Sequence, residues 1–177
     1  MIRFLPACLV AIVLWGCQTV PETAADRSVQ SINVQQTIDR MKAEDSAVTR
    51  FLDSAYAYAV FPKIGSGGAG LGGGFGRGQV FQDGEMVGYC KMTQGTIGAQ
   101  LGGNNYSEMI FFKDKWAFNK FIKGEFVFQA STSAVAVEDG GGDSVSYSDG
   151  VAVFTMGYSG LKLQAAIGGQ QFEFVPN

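Results

Sequence analysis

The sequence predicts an α+β domain: N-terminal helices, then a strongly curved, largely antiparallel sheet of about eight strands with one internal helix. Apolar residues recur at helical spacing early in the chain and alternate with a period of two over most of the remainder. Glycine contributes 25 of the 177 residues, about twice the average usage, without a collagen period. Two arrangements stay open, a small barrel and a curved sheet with the helices on one face.

The composition excludes several enzyme classes. The chain has no histidine, which excludes serine–histidine and cysteine–histidine nucleophile pairs and imidazole metal sites. Its formal net charge of −3 gives no global electrostatic reason to expect nucleic-acid binding. Hydrolysis would have to rely on carboxylates, and Glu108, Asp114 and Glu125 show no recognisable pairing. We therefore predict a protein without catalytic activity, metal or cofactor.

Residues 1–16 are typical of an export signal. One basic residue precedes a short apolar run that is too short to span a bilayer, and the run ends in Leu14, Trp15, Gly16 and Cys17. This ending resembles the lipobox of bacterial lipoproteins, which implies cleavage before Cys17, its acylation with fatty acids such as palmitate, and a cell-envelope location. Gln18 resembles an outer-membrane sorting residue, for a protein facing the periplasm or the cell surface. The alternative is an ordinary cleaved signal with an incidental cysteine.

Residues 17–27 are predicted to form a lipidated tether, and residues 28–177 the domain. Ser28 is a candidate cap for a first helix, and Asp45 starts a second one. The apolar residues expected to face the core are Val29, Ile32, Ile38 and Met41 in the first helix, and Val48, Phe51, Leu52 and Ala55 in the second. Contact of the first helix with a membrane surface is less favoured than packing, because Arg40 and Lys42 are its only basic residues.

Alternate residues of the next segment are glycines. They are Gly68, Gly70, Gly72, Gly74, Gly76 and Gly78. Side chains of a strand point alternately to its two faces, so this spacing predicts a strand with one bare face. A closely packed helix or strand, a sharp bend, or a flat ligand such as an acyl chain could lie against it. Residues 65–70 match G-x-G-x-x-G, but no helix pattern follows, which excludes a dinucleotide fold.

Short strands are predicted for most of the remaining chain. They cover residues 86–93, 96–102, 106–112, 126–137, 151–158, 161–167 and 172–175, with turns at 82–85 and 103–105. One helix interrupts them, with Asp114 as its cap, Trp116, Phe118, Phe121 and Ile122 as apolar positions, and Gly124 as its stop. The acidic loop at 138–150 lacks the ligand spacing of a calcium site. Cys90 is expected to be a buried, unreactive thiol.

Several segments together resemble the SYLF domain, also called the Ysc-type actin-binding domain. They are AYAVFPK at 57–63, the alternating glycines to residue 78, GY at 88–89, TQGTIGAQLG at 93–102 and EMIFF at 108–112. The resemblance covers roughly residues 46–175. It implies lipid binding, notably of phosphoinositides in eukaryotic members, and actin bundling in fungal members, with no enzymatic activity. An exported bacterial member would meet neither actin nor phosphoinositides, so only a lipid-facing role carries over.

Lysines cluster around the internal helix and are the candidate contacts for lipid headgroups. They are Lys113, Lys115, Lys120 and Lys123. Their alternative role is to keep the helix surface soluble. The leading hypothesis is a lipid-anchored, non-catalytic envelope protein whose domain binds lipid. The second is an adaptor that binds another envelope protein through a sheet edge or through exposed aromatic residues such as Phe172 and Phe174.

Overall fold

The computed structural model describes residues 19–125, 147–157, 160–163 and 169–177. Three helices and five strands lie in this part of the chain, and the fold is α+β as predicted. In chain order they are α1 (Ala24–Glu44), α2 (Ser46–Ser54), β1 (Ala57–Gln82), β2 (Glu85–Phe112), α3 (Lys115–Ile122), β3 (Val151–Gly157), β4 (Gly160–Leu163) and β5 (Gln170–Pro176). The predictions for the signal segment, for Cys17 and for the strand at 126–137 lie outside the described residues.

Helix α1 begins four residues before the predicted cap. Thr23 is the N-cap, and its hydroxyl oxygen accepts a hydrogen bond from the Asp26 N–H at 3.0 Å. The predicted Ser28 cap is wrong, because the Ser28 hydroxyl donates back to the Ala24 carbonyl inside the helix. The buried Thr19 donates to Glu173 of β5 at 2.6 Å. This part of the predicted tether is therefore folded onto the domain.

The buried face of α1 is only partly the predicted one. Ile38 and Met41 are buried as expected, whereas Val29 and Ile32 are 57% and 56% exposed. The N-terminal half of α1 thus carries apolar side chains in solvent. The predicted start of α2 at Asp45 is confirmed, since its carboxylate accepts from the Ala47 N–H at 2.7 Å. Among the described helices, none is long and apolar enough to cross a membrane.

A hairpin of two very long strands forms the centre of the sheet. Strands β1 and β2 have 26 and 28 residues and pair antiparallel across a turn at Asp83 and Gly84, whose φ angles are 52° and 79°. Two consecutive residues with positive φ are typical of a tight hairpin turn, and this turn was predicted. The turn predicted at 103–105 is wrong: these residues pair with residues 65–67, and β2 runs through them without a break.

Within the described residues, the sheet has fewer strands than predicted and does not close into a barrel. In the described part of the chain the order is β1-β2-β3-β4, and β5 pairs with the first half of β2. Every pairing is antiparallel, as expected. The estimate of about eight strands was too high partly because the segments 86–93, 96–102 and 106–112 are one strand.

Apolar side chains form two clusters, on opposite faces of the sheet. One joins Ala59, Ile110 and Phe112 to the buried residues of α3, and the other joins Met109 and Phe111 to α1 and α2. Alternate residues of one strand thus contribute to different clusters. The helices lie on both faces, so the arrangement with all helices on one face is wrong. Helix α3 is left at the surface of the first cluster with its outer side free of the described elements.

Candidate functional site

Helix α3 is fixed to the domain by its cap and by aromatic residues. The Asp114 carboxylate accepts a hydrogen bond from the Ala117 N–H at 2.9 Å, which confirms the predicted cap. Phe118 and Phe121 are buried, and the Phe121 ring lies 4.8 Å from Phe112 and 5.1 Å from Phe172, measured between ring centroids. These contacts determine which side of the short helix faces outward.

Trp116, which the sequence analysis named as an apolar position of this helix, lies on its outward side. It is 60% exposed, and the Nζ atom of Lys120 lies 3.8 Å from its ring centroid. The two residues are four apart and therefore neighbours on the helix surface. The ammonium group over the ring face is in a cation–π geometry, which holds the indole and the charge together. The sequence pattern alone did not reveal this pair.

The four predicted lysines surround this tryptophan, and we call the set Lys113, Lys115, Trp116, Lys120 and Lys123 the α3 patch. Lys113, Lys115 and Lys123 are exposed, and Lys120 is half-buried. Within the part of the chain that the structure describes, none of the four ammonium groups forms an ion pair. Asp114 and Glu125 lie in the same segment, so the local net charge is +2.

The alternating glycines lie in β1, and three of them pack against the first half of the same strand. A Cβ atom at Gly76 would lie 2.7 Å from Ile64 Cγ1. One at Gly78 would overlap the Val60 carbonyl, and one at Gly74 would lie 3.5 Å from the Gly65 carbonyl. Strand β1 therefore bends back over itself, and only glycine permits the close approach at Gly76 and Gly78. The surroundings of Gly68, Gly70 and Gly72 lie outside the described residues.

A buried carboxyl group lies in β2, at the position that pairs with Phe61 of β1. Glu108 is fully buried; its Oε2 accepts from Gln170 Nε2 at 3.1 Å, and its Oε1 has no partner among the described residues. Burial raises the pKa of Glu108 to about 7, against the smaller opposite effect of the Gln170 hydrogen bond. Burial also raises the pKa values of its neighbours Tyr106 and Cys90. The predicted burial of the Cys90 thiol is confirmed.

The other carboxylates and the aromatic residues named from the sequence are placed differently. Asp114 caps α3 and Glu125 is exposed, so each is in a different environment from Glu108. Phe172 is buried at 5% exposure and Phe174 is half-buried against the first cluster. The prediction that these two rings are exposed for a partner protein is wrong, because β5 turns them into the core beside β2.

Comparison with known proteins finds a distant relative. No protein-family model matches the chain. The curated protein named Beta cell expansion factor A, from Aeromonas veronii, is 26% identical over 160 residues. The matched region is 86% of this chain and 59% of that protein, so the chain spans less than two thirds of the relative's length.

Proposed function

We propose that the protein is a non-catalytic lipoprotein of the bacterial cell envelope, anchored through Cys17, whose SYLF-like domain contacts an anionic lipid surface through the α3 patch. The observation that carries the proposal is Trp116, 60% exposed beneath the Lys120 ammonium on a helix whose other side is fixed in the core. An outer-membrane location is part of the proposal.

The chemistry of the α3 patch suits the boundary between water and lipid. Tryptophan has a large apolar ring and a polar N–H, and it is enriched at membrane interfaces. Each lysine near an anionic surface contributes ~1 kcal/mol. The neighbouring Asp114 and Glu125 reduce this attraction, so the aromatic contact must supply part of the affinity. The rigid attachment of α3 through Phe118 and Phe121 lowers the entropy lost on binding.

Vesicle sedimentation of the Cys17→Ser variant tests the proposal, because this change removes the lipid anchor and leaves the domain. We expect binding to vesicles that contain phosphatidylglycerol and weaker binding to vesicles of phosphatidylcholine alone. Replacing Lys115 and Lys123 by glutamine should lower the partition constant about tenfold or more. Trp116→Ala should lower it on both vesicle types.

The matched control is the double change Arg40→Gln and Lys42→Gln on α1, which removes the same charge from an exposed helix. It should leave binding within a factor of about two, because screening limits the effect of distant charges. Equal losses of vesicle binding in the α1 and α3 double variants would show that only the net charge of the protein matters. This result would contradict the proposal. Failure of the Cys17→Ser protein to bind any vesicle at low salt would also contradict it.

A further inference from the structure

A cleft lies between the N-terminal half of α1 and two segments of β1. Its volume is about 580 Å³, within the range of ~300–1,000 Å³ typical of small-molecule sites. One wall consists of residues 20–22 and the first turns of α1, and the other of residues 62, 63, 65 and 75–77 of β1. The second wall includes Gly65 and Gly76, where β1 bends back over itself.

The two walls of the cleft carry opposite charges. Lys63 and Arg77 lie on the β1 wall, and Glu22 and Asp26 lie on the α1 wall. All four residues are exposed. In the described ranges none of the four forms an ion pair, so the cationic and anionic groups remain more than 4.0 Å apart across the opening. The cleft is therefore complementary to a molecule that carries both a negative and a positive group.

Apolar side chains and one unpaired donor lie between these charges. Val29 is 57% exposed on the α1 side, and the Phe75 ring on the β1 side lies 5.6 Å from the Arg77 guanidinium carbon. The Nε2 atom of Gln30 is buried and has no acceptor among the described residues. Buried amide donors normally have a partner, so this N–H group favours a ligand with an acceptor oxygen.

We propose that this cleft binds a single zwitterionic amphiphile of the phosphoethanolamine class. Its phosphate oxygens would accept from Lys63, Arg77 and Gln30, and its ammonium group would lie beside Glu22 and Asp26. The hydrocarbon chain would pack against Val29 and Phe75. This site is separate from the α3 patch. It binds one molecule, whereas the patch contacts a lipid surface, so the inference goes beyond the proposed function.

The proposal is tested by adding lauroyl lysophosphatidylethanolamine, below its critical micelle concentration, to the Cys17→Ser protein. Binding is measured by native mass spectrometry and by fluorescence titration. We expect a one-to-one complex. Lysophosphatidylglycerol, which lacks the ammonium group, should bind about fivefold more weakly, because it loses two exposed charge contacts, each of modest strength. Free phosphoethanolamine, which lacks the chain, should also bind at least about fivefold more weakly, because it loses the apolar contact with Val29 and Phe75.

Two charge-removing variants make the test specific to the cleft. Lys63→Gln with Arg77→Gln should weaken both lysolipids. Glu22→Gln with Asp26→Asn should weaken only lysophosphatidylethanolamine and remove its advantage over lysophosphatidylglycerol. Circular dichroism confirms that each variant is folded.

The proposal would be overturned by the absence of a one-to-one complex, by equal binding of the two lysolipids to the unaltered cleft, or by equal binding of free phosphoethanolamine. Unchanged affinity in both cleft variants would overturn it as well. Replacing Lys115 and Lys123 by glutamine should leave this complex intact while it reduces vesicle sedimentation. A failure of the cleft proposal can therefore be distinguished from a failure of the α3 patch proposal.

Discussion

Replacing Glu108 by glutamine should stabilise the protein at alkaline pH and have little effect at acidic pH. The substitution keeps the shape of the side chain and the acceptor for Gln170, whose Nε2 lies 3.1 Å from Glu108 Oε2. It removes a group that ionises in a fully buried position. A buried charge without a cationic partner is costly, whereas a buried neutral amide with a hydrogen bond is not.

The magnitude follows from the difference between the folded and unfolded pKa values of Glu108. Burial raises this pKa from 4.5 to about 7. The folded protein therefore keeps a proton that the unfolded chain releases, and the contribution of Glu108 to stability is full below pH ~4.5 and lost as pH rises to ~7. Each unit of difference corresponds to ~1.4 kcal/mol. The total loss is about 3 kcal/mol, and glutamine at this position avoids it.

Urea denaturation at pH 5 and pH 8 measures the effect. In the Cys17→Ser background, Glu108→Gln should raise the free energy of unfolding by about 3 kcal/mol at pH 8 and by only ~0.8 kcal/mol at pH 5. The titratable neighbours Tyr106 and Cys90 do not interfere, because burial raises both pKa values above their ordinary range. Glu173 does not either, since its hydrogen bond from Lys91 lowers its pKa.

The exposed Glu125 provides the matched control. Glu125→Gln removes the same charge at the surface, and it should change the free energy of unfolding by less than ~0.5 kcal/mol at both pH values. If Glu108→Gln raised the free energy of unfolding equally at pH 5 and pH 8, the effect would come from packing. Ionisation of Glu108 would then be refuted as its cause. A loss of stability at pH 8 would refute it more directly.

Three further predictions concern the fold. Gly78→Ala should destabilise by ~1–3 kcal/mol or more, because the new Cβ would overlap a backbone carbonyl, whereas Gly95→Ala, with open space around the Cβ position, should be neutral or mildly stabilising in thermal unfolding. Thr23→Ala should cost ~1 kcal/mol as the loss of a helix cap, and Ser28→Ala much less, in the same assay. Cys90 should react with a thiol reagent in the native protein only at the rate of unfolding, since its thiol is buried and its pKa raised.

Turns and helix starts that depend on a few neighbouring residues could be predicted from the sequence. Asp83 and Gly84 specify their turn through positive φ angles, and Asp45 and Asp114 specify helix starts through a side-chain oxygen that accepts a backbone N–H. Such features depend on a few consecutive residues. The turn predicted at 103–105 failed because one glycine and two asparagines also fit a paired strand when a partner strand lies opposite.

The candidate site depended on tertiary contacts that no local pattern contains. The alternating glycines predicted that something lies against one face of β1, but the first half of the same strand occupies part of that face. Trp116 fits an apolar helix position as well as Phe118 does, and only the placement of α3 against Phe112 and Phe172 decides which ring is buried. No sequence pattern indicated that Glu108 is buried, because burial is a property of the fold.

The salt dependence of vesicle binding separates the two contributions of the α3 patch. The exposed 60% of Trp116 corresponds to roughly 100–150 Å² and ~3 kcal/mol of apolar burial before ordering costs, and four lysines at ~1 kcal/mol each supply a comparable amount. Only the lysine contribution is screened when the Debye length falls to ~3 Å near 1 M salt. Binding should therefore decrease to a residual level that Trp116→Ala abolishes. A parallel decrease in both proteins would show that the indole stays outside the lipid.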